Sequence, residues 1–492
     1  MTPPVVRAWP QRELLARGAQ MIRALPTGAL FVALGSLTLT VSNRLPVWLV
    51  APAYALRSLL SGSDGRASGS AGATPFAGGI ALLTLAALVA AFGFFIAGVS
   101  VTHSARTQRV MQWLAIPLLV WTLFASIQTA VILAQGAITS ATQWPPRYTS
   151  DEMYYNQYGA GLVLAGVNPY TDANQHLRDA MVYFHIRGFT PIARGRFRDV
   201  RHVPTGKEMR AVAAEFQRHP PTPPPELDPR TLHSYPAGAF VVDIPSVLFG
   251  ARGMGLAQIA LFLALSVLLV ALTPLQARLA VGMLIWENPA FAQRVVNGDF
   301  DIWWIAALIA AWMLYKRGWL SGALLGVACA IKQTAWFAAP FFLLWVWRMH
   351  GTKAAIRQAV AALAGFVLIN LPWIIASPRA WAESLFLPLS LPLLPDGSGI
   401  VALGIAGLTP LANAHMYTAL EVGIMLGALV LAWRLLAHAP YLGLVLPLLP
   451  LVAAWRSPER YFLALPVLAL AALILTWRAE RSAVVTPSAV EV

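Results

Sequence analysis

Runs of about 20 apolar residues recur along nearly the whole chain, and a run of that length crosses the hydrocarbon of a bilayer as a helix. They fall near 28–55, 76–101, 110–138, 253–272, 277–291, 300–314, 318–331, 335–347, 354–375, 411–432, 441–454 and 461–476, about twelve segments. Only 11% of the 492 residues are charged, against roughly 25% in a soluble protein. The runs are continuous rather than alternating, which excludes a membrane β-barrel. The expected fold is therefore an all-α polytopic membrane protein. Several runs are short, which reads as tilted or broken helices around a cavity.

The net charge of +14 would suggest nucleic acid in a soluble chain. Here the basic residues sit in short loops between apolar runs, the positive-inside pattern, and no nucleic-acid partner is expected. The single cysteine, Cys329, lies in an apolar run, so neither a disulfide framework nor a Cys/His metal cluster is expected. Arg7, Arg12, Arg17 and Arg23 precede the first run without a small-residue cleavage site, as in a cytoplasmic tail before an uncleaved span.

With that tail inside, the loops 102–109, 274–278, 316–317, 348–353 and 434–438 and the end of the chain fall inside too, and each carries Lys or Arg. The opposite set is 61–70, 139–235, 296–299, 332–334, 377–399 and 456–460. It collects nearly all the acidic residues of the body of the protein. The expected organisation is a cytoplasmic tail (1–27), N-terminal spans (28–138), an extracytoplasmic loop (139–235), a transmembrane bundle with outer-face loops (236–477) and a second cytoplasmic tail (478–492). The long loop contains Pro220-Pro-Thr-Pro-Pro-Pro225, which favours extended polyproline geometry. A loop this long is expected to hold structure of its own, here one or two amphipathic helices on the membrane surface.

Polar residues break the apolar pattern at four places. The stretch Tyr148-Thr-Ser-Asp-Glu-Met-Tyr-Tyr-Asn-Gln-Tyr158 puts Asp151 and Glu152 where a span gives way to water. A helix is expected to start at Asp151, capped by Ser150 or Thr149. Helical spacing then places Asp151, Tyr155 and Tyr158 on one face and turns Glu152 elsewhere. The plain alternative is a pair of capping acids at a solvated helix start. In Asn297-Gly-Asp-Phe-Asp301, Asp299 and Asp301 could bind a cation or sugar hydroxyls, or could form a polar turn with a helix cap. Lys332-Gln-Thr334 interrupts the hydrocarbon from Leu320 to Val346. A lysine at that depth faces a cavity or a partner, unless it snorkels to the interface; a fixed cation there suits a phosphate. Arg456-Ser-Pro-Glu-Arg-Tyr461 offers arginines for bidentate phosphate contacts or for anchoring at the interface. Together these stretches supply a carboxylate base, cations and sugar-packing aromatics such as Tyr154, Tyr155, Trp303 and Trp304. That set fits transfer of a sugar from a lipid-linked phosphate.

The chain resembles the GT-C superfamily of glycosyltransferases that use polyprenyl-phosphate sugars, and most of all the bacterial polyprenyl-phosphate-mannose α-mannosyltransferases. The resemblance spans about 113–477. It is carried by Asp151 to Tyr170, ending in Gly166-Val-Asn-Pro-Tyr170; by Asn288-Pro with Asn297-Gly-Asp-Phe-Asp301; by Gly322-Ala-Leu-Leu-Gly-Val-Ala-Cys-Ala-Ile-Lys332; and by Pro458-Glu-Arg-Tyr-Phe-Leu-Ala-Leu-Pro466. It implies a GT-C-like bundle and an inverting transfer in one displacement, with Asp151 as base and Glu152 beside it. It implies a polyprenyl-phosphate hexose donor, with mannose the expected sugar, and a glycolipid or glycan acceptor within the membrane lipids. Substrate contacts are expected from Tyr155, Tyr158, Asn168, Tyr170, Asp299, Asp301, Lys332, Gln333, Glu459, Arg460 and Tyr461. No cofactor is implied, although some relatives bind a divalent cation. The chain departs from the family in its extra apparent spans before the catalytic loop and in that loop's length and proline content. A transporter or flippase of lipid-linked saccharides would use the same cavity and cations without a base. Inverted-repeat symmetry would mark it, and none is visible.

Overall fold

The computed structural model describes residues 26–61, 75–142, 151–171, 233–248, 253–390, 393–411 and 413–485. The expectations for the N-terminal tail, the Gly/Ser linker, and the amphipathic helices and proline run of the long loop fall outside these residues. The described chain is almost wholly helical. Its longer helices are α1 (Thr27–Ser61), α2 (Pro75–Gly98), α3 (Ala105–Thr142) and α4 (Asp151–Leu164), then the short α5 (Gly238–Val241) and α6 (Ile244–Leu248), then α7 (Gly253–Leu272). The chain continues through α8 (Arg278–Trp286), α9 (Pro289–Asn297), α10 (Asp301–Met313), α11 (Gly318–Ile331), α12 (Ala338–His350) and α13 (Thr352–Ala376). Last come α14 (Pro378–Leu385), α15 (Leu387–Ser390), α16 (Val401–Ile405), α17 (Ala414–Leu435) and α18 (Leu465–Val485).

Seven helices among the described residues are long and apolar enough to cross a membrane, and the bent pair α9–α10 makes an eighth if it is one span. The remaining apolar runs of the expected twelve fold as shorter pieces, and local chemistry explains where they break. Asn288 ends one run by accepting the Phe291 N–H at 3.0 Å ahead of Pro289, a cap with proline in the first turn. Gly298, at φ 86°, closes α9 in the left-handed conformation, and the chain turns by 115° into α10. The run 441–454 contains Pro447 and Pro450 and forms three 3-10 turns instead of one helix. The stretch 377–399, expected as a loop, contributes α14 and α15. It also contributes a two-residue strand, β1 (Asp396–Gly397), that pairs in parallel with β2 (Arg456–Ser457).

The described stretch of α18 is the most enclosed of the long helices, with 83% of its apolar window buried, against 11% for α13 and 17% for α17. That contrast makes α18 central and puts α13 and α17 on the rim, where Leu363, Leu368, Val422 and Val430 stand exposed, as side chains facing lipid do. Around α18 pack Phe92 edge-on to Phe462, and Trp312 against Phe342, Trp345 and Tyr441. Rim and core approach closely through small residues, the usual means in a bilayer. A Cβ on Gly322 or Gly326 of α11 would collide with the Gln358 or Ala362 carbonyl of α13.

The bundle has two chemically different ends. At one, Val101 N donates to His438 O, Tyr315 stacks on His350, and the Arg348 guanidinium lies 4.0 Å from the Trp433 ring centre. That end gathers the basic turns of the sequence. The start of α4, the start of α10, the end of α11 and the β1–β2 pair meet at the other.

Candidate functional site

Two antiparallel neighbours, α10 and α11, bring together residues 31 positions apart. Asp301 opens α10, where a carboxylate complements the helix dipole, and Lys332 follows the last turn of α11 in extended geometry. Lys332 Nζ donates to Asp301 Oδ1 at 2.7 Å and to Glu152 Oε1, in the first turn of α4, at 2.9 Å. The same Asp301 oxygen accepts the Trp304 indole N–H at 2.6 Å. Beneath the ammonium lies Phe300, its ring centre 5.2 Å from Nζ, held edge-on by Tyr235. A lysine this deep is tolerated only with opposite charge and hydrogen bonds around it, and here it has both.

Glu152 is the sensitive member. Burial pushes its carboxyl up to about 7; Lys332 pulls it back down, Asp301 and Asp299 push it further up, and Arg460 pulls it down. It thus sits near neutrality, the range in which a carboxyl exchanges protons readily. Asp299 is itself buried and paired with Arg294 at 3.2 Å, across the turn that Gly298 makes.

The expected site residues divide into two groups. Glu152, Asp301 and Lys332 are brought into direct contact, with Asp299 and Arg460 near enough to act on Glu152 electrostatically. Asp151 leads the same helix, one residue before Glu152; its side chain is outside the described ones. The spacing argument turned Glu152 away from the site; the structure instead turns it inward, onto Lys332. Tyr155 and Tyr158 are half-buried on α4. Arg460 is half-buried, its guanidinium 5.9 Å from the half-buried Tyr461 ring, and Glu459 is exposed beside it.

The second group does structural work. Asn168 Oδ1 accepts the Tyr170 N–H at 3.0 Å, the short turn that asparagine favours. Tyr170 is fully buried, donates to Tyr235 O at 2.9 Å, and packs edge-on to His233, Phe240 and Trp373. Gln333 Nε2 donates to Ser234 O and Leu385 O, tying two segments together. Lys332, expected as a cation for a phosphate, already has two carboxylates sharing its charge, because burial demands a partner before any ligand arrives.

Several contributors carry weak sequence signals. Asn370 is a lone amide in an apolar run; its Oδ1 accepts from Ala237 N and Trp381 Nε1, both at 3.0 Å, and so holds α5 and α14 to α13. Arg456 donates to Leu394 O and Asp396 Oδ2, clipping the last polar loop to β1. Among the described residues no group of three or more His, Cys, Asp or Glu could hold a metal ion. The closely spaced Asp299 and Asp301 are each paired with a cation instead. No protein-family model, characterised protein or solved structure matches the chain.

Proposed function

We propose that the protein is an inverting glycosyltransferase of the GT-C kind. It moves a hexose, mannose in the first instance, from a polyprenyl-phosphate donor to a lipid or glycan acceptor at the extracytoplasmic face. The observation that carries this reading is the Glu152–Lys332–Asp301 cluster at one end of an apolar bundle, with Arg294 and Arg460 beside it. Carboxylates and cations meet there, where a lipid-borne phosphate and a polar acceptor would meet. The shorter apolar helices over 275–286 and 442–453, beside the seven long helices and the bent α9–α10 pair, support a bundle with more passes than the long helices alone supply. The basic turns gathered at the far end support a cytoplasmic placement for it.

In this mechanism Asp151 takes the proton from the acceptor hydroxyl. Glu152 and Asp301 are committed to Lys332, which leaves their neighbour at the head of α4 for that role. The acceptor oxygen attacks the anomeric carbon, the bond from that carbon to the phosphate oxygen breaks, and the lipid phosphate departs with its charge held by Arg460 and Arg294. The decisive experiment is sugar transfer by purified protein from radiolabelled polyprenyl-phosphate mannose to a panel of glycolipids, wild type beside Asp151→Asn. Transfer that vanishes in the variant supports both class and base; transfer that survives moves the base to another carboxylate. Donor binding with no transfer to any acceptor or from any sugar favours transport of lipid-linked saccharides. The 115° break between α9 and α10 is the feature that speaks for that second reading, since broken helices line transport sites.

A further inference from the structure

Glu287 has no part in the cluster above, yet it is a fully buried acid in the middle of the bundle. It caps the C-terminus of α8. Its Oε2 accepts from the Thr122 hydroxyl on α3 at 3.1 Å, and the Ser36 hydroxyl of α1 hydrogen-bonds the same carboxyl. One turn further along the same seam, Ser126 Oγ donates to Met283 O at 2.9 Å. The other carboxyl oxygen, Oε1, is buried with no hydrogen-bond partner. Thr122 lies near the centre of the 38-residue α3, and Ser36 lies mid-way along the apolar part of α1, so the group sits deep between the two ends.

Among the described residues no cation is paired with this carboxylate. The cations of the packed helices stand two or more turns away along them: Arg44 on α1, Arg106 and Arg109 on α3, Arg278 on α8. Arg294 on α9 is paired with Asp299, and Arg478 and Arg481 lie at the far end of α18. The C-terminus of α8 adds the negative end of a helix dipole at the same point. An acid there is neutral either when protonated or when a cation is bound beside it, and the Oε1 left without a hydrogen-bond partner is where such a cation would sit. The available donors are a single carboxylate and two hydroxyls, all hard oxygens, which suit one unit of charge and not a transition metal. Carboxyl ends of broken helices serve in this way in membrane proteins.

We propose that Glu287, with Ser36 and Thr122, forms a monovalent-cation site in the core of the bundle, occupied by a sodium ion in exchange with a proton. The site is independent of sugar transfer and stands whether the other end of the bundle transfers or transports a saccharide. The test uses the purified full-length protein in sodium chloride and in choline chloride at equal ionic strength. Two readouts are taken: carbodiimide labelling of Glu287, mapped by mass spectrometry, and the thermal unfolding midpoint. Labelling needs the protonated acid, so sodium at about ten times its dissociation constant should suppress it about tenfold. Sodium should also raise the unfolding midpoint of wild type but not of Glu287→Gln. Thr122→Val should keep the labelling and lose the protection, which separates a ligand role from a failure to fold. Equal labelling in the two salts, or a wild-type midpoint that sodium leaves unchanged, overturns the proposal.

Discussion

Replacing Lys332 by Met keeps the length of the side chain and removes the positive charge that Glu152 and Asp301 share. The two carboxylate oxygens lie 2.9 and 2.7 Å from the same Nζ, and so are less than about 6 Å from each other; at an effective dielectric of about 20 their repulsion is about 3 kcal/mol. Breaking a buried pair by deleting one partner costs about 3–5 kcal/mol in general, and the two figures describe largely the same loss. Glu152, 3% exposed, should bear more of it than Asp301, 15% exposed and still bonded to Trp304. The variant is therefore expected to lose about 3–5 kcal/mol of unfolding free energy at pH 8. It should lose less at pH 5, where Glu152 is protonated. Adding Glu152→Gln to Lys332→Met should recover most of the loss at pH 8, because the remaining carboxylate has an indole donor and some water. The assay is denaturant unfolding of purified protein in detergent, read by tryptophan fluorescence at both pH values. A Lys332→Met loss below about 1 kcal/mol, the scale of an exposed pair, refutes the reasoning. So does a double variant no more stable than the single.

Glu152 also sets a pH dependence of its own. Its carboxyl is held at about 7 in the folded protein against 4.5 as the ordinary value, so between those limits the folded state binds more protons than the unfolded one. Stability should fall as pH rises through that window and level off above it, and Glu152→Gln should flatten the curve when unfolding is followed from pH 4 to 8. Asp151→Asn should lower sugar transfer by about 10²–10⁴-fold, the worth of a general base, with donor binding measured separately and retained. Gly326→Val should cost about 1–3 kcal/mol by pushing α13 away from α11, measured as unfolding free energy. Asn370→Leu leaves the Ala237 N–H and the Trp381 indole without their shared acceptor, a loss of about 1–3 kcal/mol per buried donor, measured as unfolding free energy.

What the sequence shows best is what a bilayer dictates. Apolar runs locate α7, α11 and α13 within a residue or two of their observed limits, because continuous hydrocarbon leaves a helix few other places to end. Their grouping into spans is less legible. Asn288 and Pro447 divide apolar runs that hydropathy alone reads as whole, and the runs from 277 to 347 become five short helices with 3-10 turns at Tyr315–Arg317 and Gln333–Phe337. A helix from Asp151 onward follows from the acidic, cappable residues there, and the structure has helix over Asp151–Leu164; Thr149 and Ser150, expected to cap it, lie outside the described residues. Which face of that helix turns inward does not follow. Glu152 and Lys332 are 180 positions apart, and no local pattern pairs them.

The same gap separates a residue type from its use. Lys332, Tyr170, Gln333 and Asn168 all look like binding residues in an apolar chain, since polar groups there are costly and usually have a purpose. In the structure that purpose is first to satisfy one another or the backbone: Tyr170 a carbonyl, Gln333 two carbonyls, Asn168 its own turn, Lys332 two carboxylates. A polar residue at membrane depth thus marks a place where the fold has a bond to complete, and function has to be sought in what that completion leaves over. At the charged end the remainder, on the proposed mechanism, would be Asp151 as base with the arginines near the cluster as its counterpart. In the middle of the bundle it is one oxygen of Glu287 with no hydrogen to accept, which is why a small cation, rather than another side chain, is the partner to look for there.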